Sequence, residues 1–235
     1  TLMLLPLSQL MPPLLSVSLP VMSRLAERPA SLKRVFLDLL QLTAFASSFV
    51  AVFLFVGADW IIGVFLGKLW VDASDILRFL SGAALFIPLS TLCVASITAQ
   101  GKGTVLVRWS LLKNIITICA MLAGIGWGAT GVAAALSIAS IFFLMPILNK
   151  FTAIAGPANL NEIWVATGSG VGAFFFGSVI LYFILHKLGF ENALINIVAL
   201  FILNFLLHVL IIVIFPSSKT TAERVLKVFI NSQSV

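Results

Sequence analysis

The sequence predicts an all-α integral membrane protein with about seven transmembrane helices, and three observations predict it. The chain is 61% hydrophobic and only 9% charged, with a mean hydropathy of +1.17. A water-soluble core of this size has too few charged residues to coat so much apolar surface. Its apolar runs are also long and continuous. Strands of a membrane barrel would instead alternate polar and apolar residues over about ten positions, and lipid admits no other spanning structure than a helix or a closed barrel.

A spanning helix needs about 20 mostly apolar residues. Seven segments satisfy this, at roughly 2–24, 40–66, 74–99, 104–123, 130–149, 163–187 and 192–215. The first carries Pro6, Pro12, Pro13 and Pro20. Each removes a backbone donor and favours a bend, a device transporters use to open backbone toward a cavity, although membrane helices also simply tolerate proline. The chain opens at Thr1, inside this apolar segment and without a charged leader, so it reads as a fragment lacking an N-terminal part. The tail from Ser217 onward is short and polar.

The connections give the orientation. With seven crossings, alternate connections share a side. The 24–39 turn, the 100–108 turn, the 149–162 loop and the tail carry Arg24, Arg28, Lys33, Arg34, Lys102, Arg108, Lys150, Lys219, Arg224 and Lys227, against Lys68 and Lys187 on the other side. Basic residues resist translocation, so the first set is predicted cytoplasmic, along with the C-terminus. The net charge of +6 therefore records topology and implies no nucleic-acid partner. Trp60, Trp70, Trp109, Trp127 and Trp164 lie near segment ends, where indole rings favour the headgroup level.

Few residues carry chemistry. Cys93 and Cys119 sit in apolar segments, far from any metal-ligand spacing, and no catalytic set emerges, so neither an enzyme nor a cofactor is expected. All eight acids fall in connections or within about two turns of a helix end. Three cationic or titratable groups lie deeper. Lys113 is about 15 Å into the fourth segment, Arg78 is one to two turns into the third, and His208 is well inside the seventh. A cation at depth should face protein or water and attract an anion. Ser110, Lys113, Asn114 and Thr117 recur at helical spacing, which suggests a cavity wall meeting a phosphate-bearing substrate. The alternative is a lysine snorkelling to the interface. Arg78 can equally pair with Asp75 three residues earlier. Asn204 and His208, one turn apart, suit interhelical hydrogen bonding. Gly168 and Gly172 in "TGSGVGAFFFG" form a small-xxx-small face for close helix packing.

Three stretches resemble the bacterial polysaccharide flippases of the O-antigen and exopolysaccharide type. "SLPVMSRL" (Ser18 to Leu25) is similar to a helix end before a basic cytoplasmic turn. "FLGKLWVDASDILRFLS" (Phe65 to Ser81) is similar to the family's outer turn, and "ITAQGKGTVLVRW" (Ile97 to Trp109) to its next cytoplasmic turn. The resemblance implies that 1–156 form the C-terminal bundle of a two-bundle flippase, with 157–216 as two additional helices and 217–235 as a cytoplasmic tail. It implies a multi-pass protein of the bacterial cytoplasmic (inner) membrane, completed by an N-terminal helix bundle. The implied cargo is an oligosaccharide on undecaprenyl diphosphate, moved between leaflets by alternating access. Lys113 would meet the headgroup first and Arg78 second, with Ser110, Asn114 and Thr117 offering hydrogen bonds. A lipid II flippase or multidrug exporter of the same superfamily, or a non-transporting subunit of a polysaccharide assembly complex, are the rival expectations.

Overall fold

A computed structural model of the chain describes residues 18–156, 158–188 and 192–214, and these are helical with no strand among them. A helical stretch over 18–24 leads into a tight turn. Then follow α1 (Pro29–Phe65), α2 (Ala73–Ala99), α3 (Gly103–Gly124), α4 (Gly128–Ile138), α5 (Met145–Ala155), α6 (Leu160–Leu188) and α7 (Ala193–Ile214). Five helical stretches among the described residues are long and apolar enough to cross a membrane: Pro29–Phe65, Ala73–Ala99, Gly103–Ala155, Leu160–Leu185 and Ala193–Ile211. The chain is a multi-pass membrane protein.

The stretch Gly103–Ala155 is folded in two. At its middle a short 3-10 turn, Ile125–Trp127, gives way to Gly128 at φ 71, a backbone conformation that a side chain disfavours. A Cβ on Gly124 would stand 2.6 Å from the Cα of Val132, so α3 and α4 meet with nothing between them. The stretch is thus an antiparallel hairpin, and the expected fourth and fifth spans are its two arms. The first expected span, with Pro6, Pro12 and Pro13, lies mostly outside the described residues, as does the tail with Lys219, Arg224 and Lys227.

One boundary differs from expectation, and one span carries an irregular turn. The second span begins at Pro29 rather than near residue 40, because proline is pre-shaped for the first helical position and Leu32, Phe36, Leu39 and Leu40 recur on one buried face. Lys33 and Arg34 therefore ride on the opening turns of α1 rather than on a loop. The fifth span contains a π-helical turn, Ala139–Leu144, where the Met145 N–H reaches back to the Ser140 carbonyl. Pro146, two positions into α5, has no N–H to give the preceding turn, and one wide turn absorbs the mismatch.

α1 is the central helix, packed against α2, α6 and α7, while α2 in turn carries the hairpin. One core cluster joins Phe36, Leu40, Leu89, Leu92, Trp109, Leu148 and Ile163. A second joins Ala51, Val52, Leu85, Phe174, Leu181 and Leu200. At one end of the bundle Lys102 Nζ donates to the Ala155 carbonyl at 2.6 Å, and Lys33 pairs with Glu162 at 2.6 Å. The connections that lead into α1, α3 and α6 thereby share one end, as the charge bias requires.

Two expectations are corrected by the packing. Trp109 is no headgroup anchor: it is 2% exposed and packs on Phe151 with ring centroids 6.2 Å apart, because α3 turns that residue toward α2 and α5. Gly168 and Gly172 do not make the close helix contact, since a Cβ at either would meet nothing within 4 Å. Gly170 does, lying hard against the Ala44 carbonyl of α1. Two residues along a helix is about 200° of rotation, so the glycines at 168 and 172 face an open groove instead.

Candidate binding site

α3 is the most exposed helix of the bundle, with only Trp109 and Gly124 buried along it. Lys113 lies at the edge of its packed face. Together with Trp109 it lines a cavity of about 280 Å³ whose other wall is the α2 face bearing Ser90, Thr91 and Thr98, closed at one side by Leu19. Among the described residues no carboxylate lies within ion-pair distance of Lys113. Lys113, itself exposed, therefore shares one cleft with these hydroxyls and has no counter-ion among the described residues.

Those hydroxyls are held in reserve. Ser90 and Thr91 both donate to the Ile87 carbonyl, at 2.8 and 2.9 Å, and Thr98 donates to Val94 O at 2.8 Å. Each bond returns to a carbonyl of its own helix, so rotation of the hydroxyl frees a donor for a ligand while the helix stays formed. The Pro88 ring sits within α2 just before this face. It leaves the Ala84 carbonyl without its usual partner.

Of the expected stripe, only Lys113 reaches this cavity. Ser110 and Asn114 are exposed, like Lys113 itself, but do not line the cavity, and Thr117, half-buried, donates to the Lys113 carbonyl at 2.8 Å. They stand beside Lys113 on the open side of α3. The hydroxyls of α2 were not singled out from the sequence. Their signal is the spacing in "STLCVASIT", where Thr91 and Thr98 are seven residues apart, two helical turns.

Arg78 belongs to another place. Its guanidinium donates to Asp75 at 2.7 Å and to Asp59 of α1 at 2.6 Å, at the end of the bundle away from the basic turns. The pairing with Asp75 follows from the i,i+3 spacing, and the fold adds Asp59. Two carboxylates thus oppose one cation. Arg78 and Lys113 line different cavities, so they do not converge on one ligand in this arrangement. His208 and Asn204 hold helices together, as their spacing suggested. Ser48 Oγ lies 3.0 Å from His208 Nε2, and Asn204 Nδ2 donates to Phe49 O at 2.9 Å. The Asn204 carbonyl, 3.0 Å from His208 Nδ1, can only accept, which places a proton on that nitrogen.

No curated protein and no solved structure matches the chain. The stretch that leads into the Lys113 cleft, the basic turn after it, the whole of α1 and the start of α2 fall within residues 1–75, and these residues match the family of polysaccharide biosynthesis proteins.

Proposed function

We infer that the chain forms part of a flippase for lipid-linked oligosaccharide, moving an undecaprenyl diphosphate headgroup across the bacterial cytoplasmic membrane by alternating access. The observation that carries this reading is Lys113, without a counter-ion among the described residues, lining one cleft with Ser90, Thr91 and Thr98. A diphosphate cannot enter hydrocarbon bare, because losing its hydration is prohibitively costly. A cation with hydroxyl donors replaces that hydration while the polyprenyl tail stays in lipid. Nothing in this role makes or breaks a covalent bond, in keeping with a transporter and not an enzyme. The match over residues 1–75 supports the polysaccharide context. Arg78 stands apart from this cleft, lining a different cavity with its charge already offset by Asp59 and Asp75.

The test is Lys113→Cys, in a background where the exposed Cys119 is Ser, probed with a membrane-impermeant thiol reagent. The cleft reading expects labelling that lipid-linked oligosaccharide diminishes. Protection under every condition would favour a non-transporting subunit whose α3 is sealed against a neighbour. Labelling diminished by a cationic drug but not by the glycolipid would favour a drug exporter.

A further inference from the structure

α3 and α5 carry two cations that the Lys113 cleft does not use. Arg108 stands five residues inside the start of α3, and Lys150 five residues before the end of α5, so each lies about 7.5 Å from its helix end. Those two ends meet, because Lys102, just before α3, donates to the Ala155 carbonyl. The residues that follow the cations, Trp109 and Phe151, pack on each other across the seam between the helices. One residue back is a rotation of about 100° on either helix. Because α3 and α5 run in opposite directions, both rotations lead to the same side of the seam. Arg108 and Lys150 therefore flank one seam at one depth, and both are exposed. Leu111 and Ile115, one and two turns beyond Arg108, and Ile154, one turn after Lys150, are exposed apolar neighbours on that side. Ser110 is about 200° around α3 from Arg108, so the polar stripe beside Lys113 faces the other way and the two cations face lipid.

The charge around this seam has one sign. Neither α3 nor α5 contains an acid, and among the described residues no carboxylate lies within ion-pair distance of Arg108 or Lys150. At this end of the bundle Glu27, Asp38 and Glu162 stand against Arg24, Arg28, Lys33, Arg34, Lys102, Arg108 and Lys150, and Glu162 is already paired with Lys33. The seam thus selects an anion. Sidedness alone asks for basic residues in the connections, whereas these two stand within the helices. Their apolar stems let both charged heads rise to the headgroup level, where lipid phosphates lie. A guanidinium then offers a planar fork to phosphate oxygens and an ammonium a point charge. Basic sites between transmembrane helices on the cytoplasmic side suit anionic headgroups for this reason.

We propose that the α3–α5 seam binds one anionic phospholipid of the cytoplasmic leaflet, with its phosphate between Arg108 and Lys150 and an acyl chain along Leu111 and Ile115. This goes beyond the flippase reading and does not depend on Lys113. The experiment is native mass spectrometry of the full chain, released from nanodiscs of phosphatidylglycerol, phosphatidylethanolamine or phosphatidylcholine with identical acyl chains. One retained phosphatidylglycerol is expected, held about tenfold or more above either zwitterionic lipid. Arg108→Gln and Lys150→Gln, both at exposed positions that leave the core intact, should each lower that retention about fivefold, and the double variant should erase the preference. Arg28→Gln with Arg34→Gln removes as many charges at the same end, but on the α1 side, and should leave retention unchanged, as should Lys113→Met. Equal retention of the three lipids, or a preference for phosphatidylglycerol that survives the Arg108 and Lys150 double variant, overturns the proposal. So does an equal loss in the Arg28 and Arg34 pair, which would assign the effect to the field of the whole end instead of the seam.

Discussion

The cleft at Lys113 and the cavity at Arg78 solve the same problem in opposite ways. Each places a cation inside a membrane-spanning helix. At Arg78 the protein supplies the counter-charge itself, with Asp75 one turn away and Asp59 on the neighbouring helix. At Lys113 it supplies only hydroxyls that already serve their own helix. A cation that is neutralised from within can hold a structure together. On the reading proposed above, one left open takes its counter-ion from outside, since a bare charge at depth is expensive to maintain.

Substitutions can break or sharpen that contrast. The largest effect belongs to the floor of the Lys113 cleft: Trp109→Ala removes a fully packed indole and should cost about 3–5 kcal/mol of stability, read as a fall in thermal unfolding temperature in detergent. A small loss there would mean that the cleft is not built on the core. Next, Lys113→Met should leave the unfolding temperature unchanged but lower glycan display at the cell surface about tenfold or more. Normal display at normal expression would sink the cleft as a headgroup site.

Arg78→Met should show the reverse pattern, losing about 1 kcal/mol of stability with its two ion pairs to half-exposed carboxylates, with export reduced only in proportion to folded protein. Adding Asp59→Asn and Asp75→Asn should return most of that loss. If the triple variant stays as unstable as the single one, the ion pairs do not explain the role of Arg78. Smallest is Thr98→Val, which keeps shape and removes one hydroxyl. It should change stability by less than about 1 kcal/mol and weaken glycolipid binding only about fivefold, measured by protection of Lys113→Cys from the thiol reagent.

The spans were legible because apolar run length is a one-dimensional property, and lipid enforces it on every crossing helix. Sidedness was legible for the same reason, through Lys33 and Lys102 at a common end. What could not be read was rotation about each helix axis. Trp109 lies near a segment end in sequence, yet its azimuth turns it into the core. Gly168 and Gly172 have the spacing of a packing face, yet the packing face of α6 is the one that carries Gly170. Ser90, Thr91 and Thr98 look like ordinary hydroxyls in an apolar run until α3 is laid beside them. A charge at depth such as Lys113 announces itself from one residue, whereas a wall of hydroxyls exists only once two helices have met.

The contacts between α1 and α7 bear on how the last helix finds its seat. α7 exposes Phe201, Phe205 and Leu206 to its surroundings, and in hydrocarbon such side chains fit lipid as well as they fit protein. Greasy surface alone would let α7 slide and spin against its neighbour. Ser48 meeting His208, and Asn204 meeting the Phe49 carbonyl, work as an address, adding to the packing of Leu200 a directional mark of one height and one rotation.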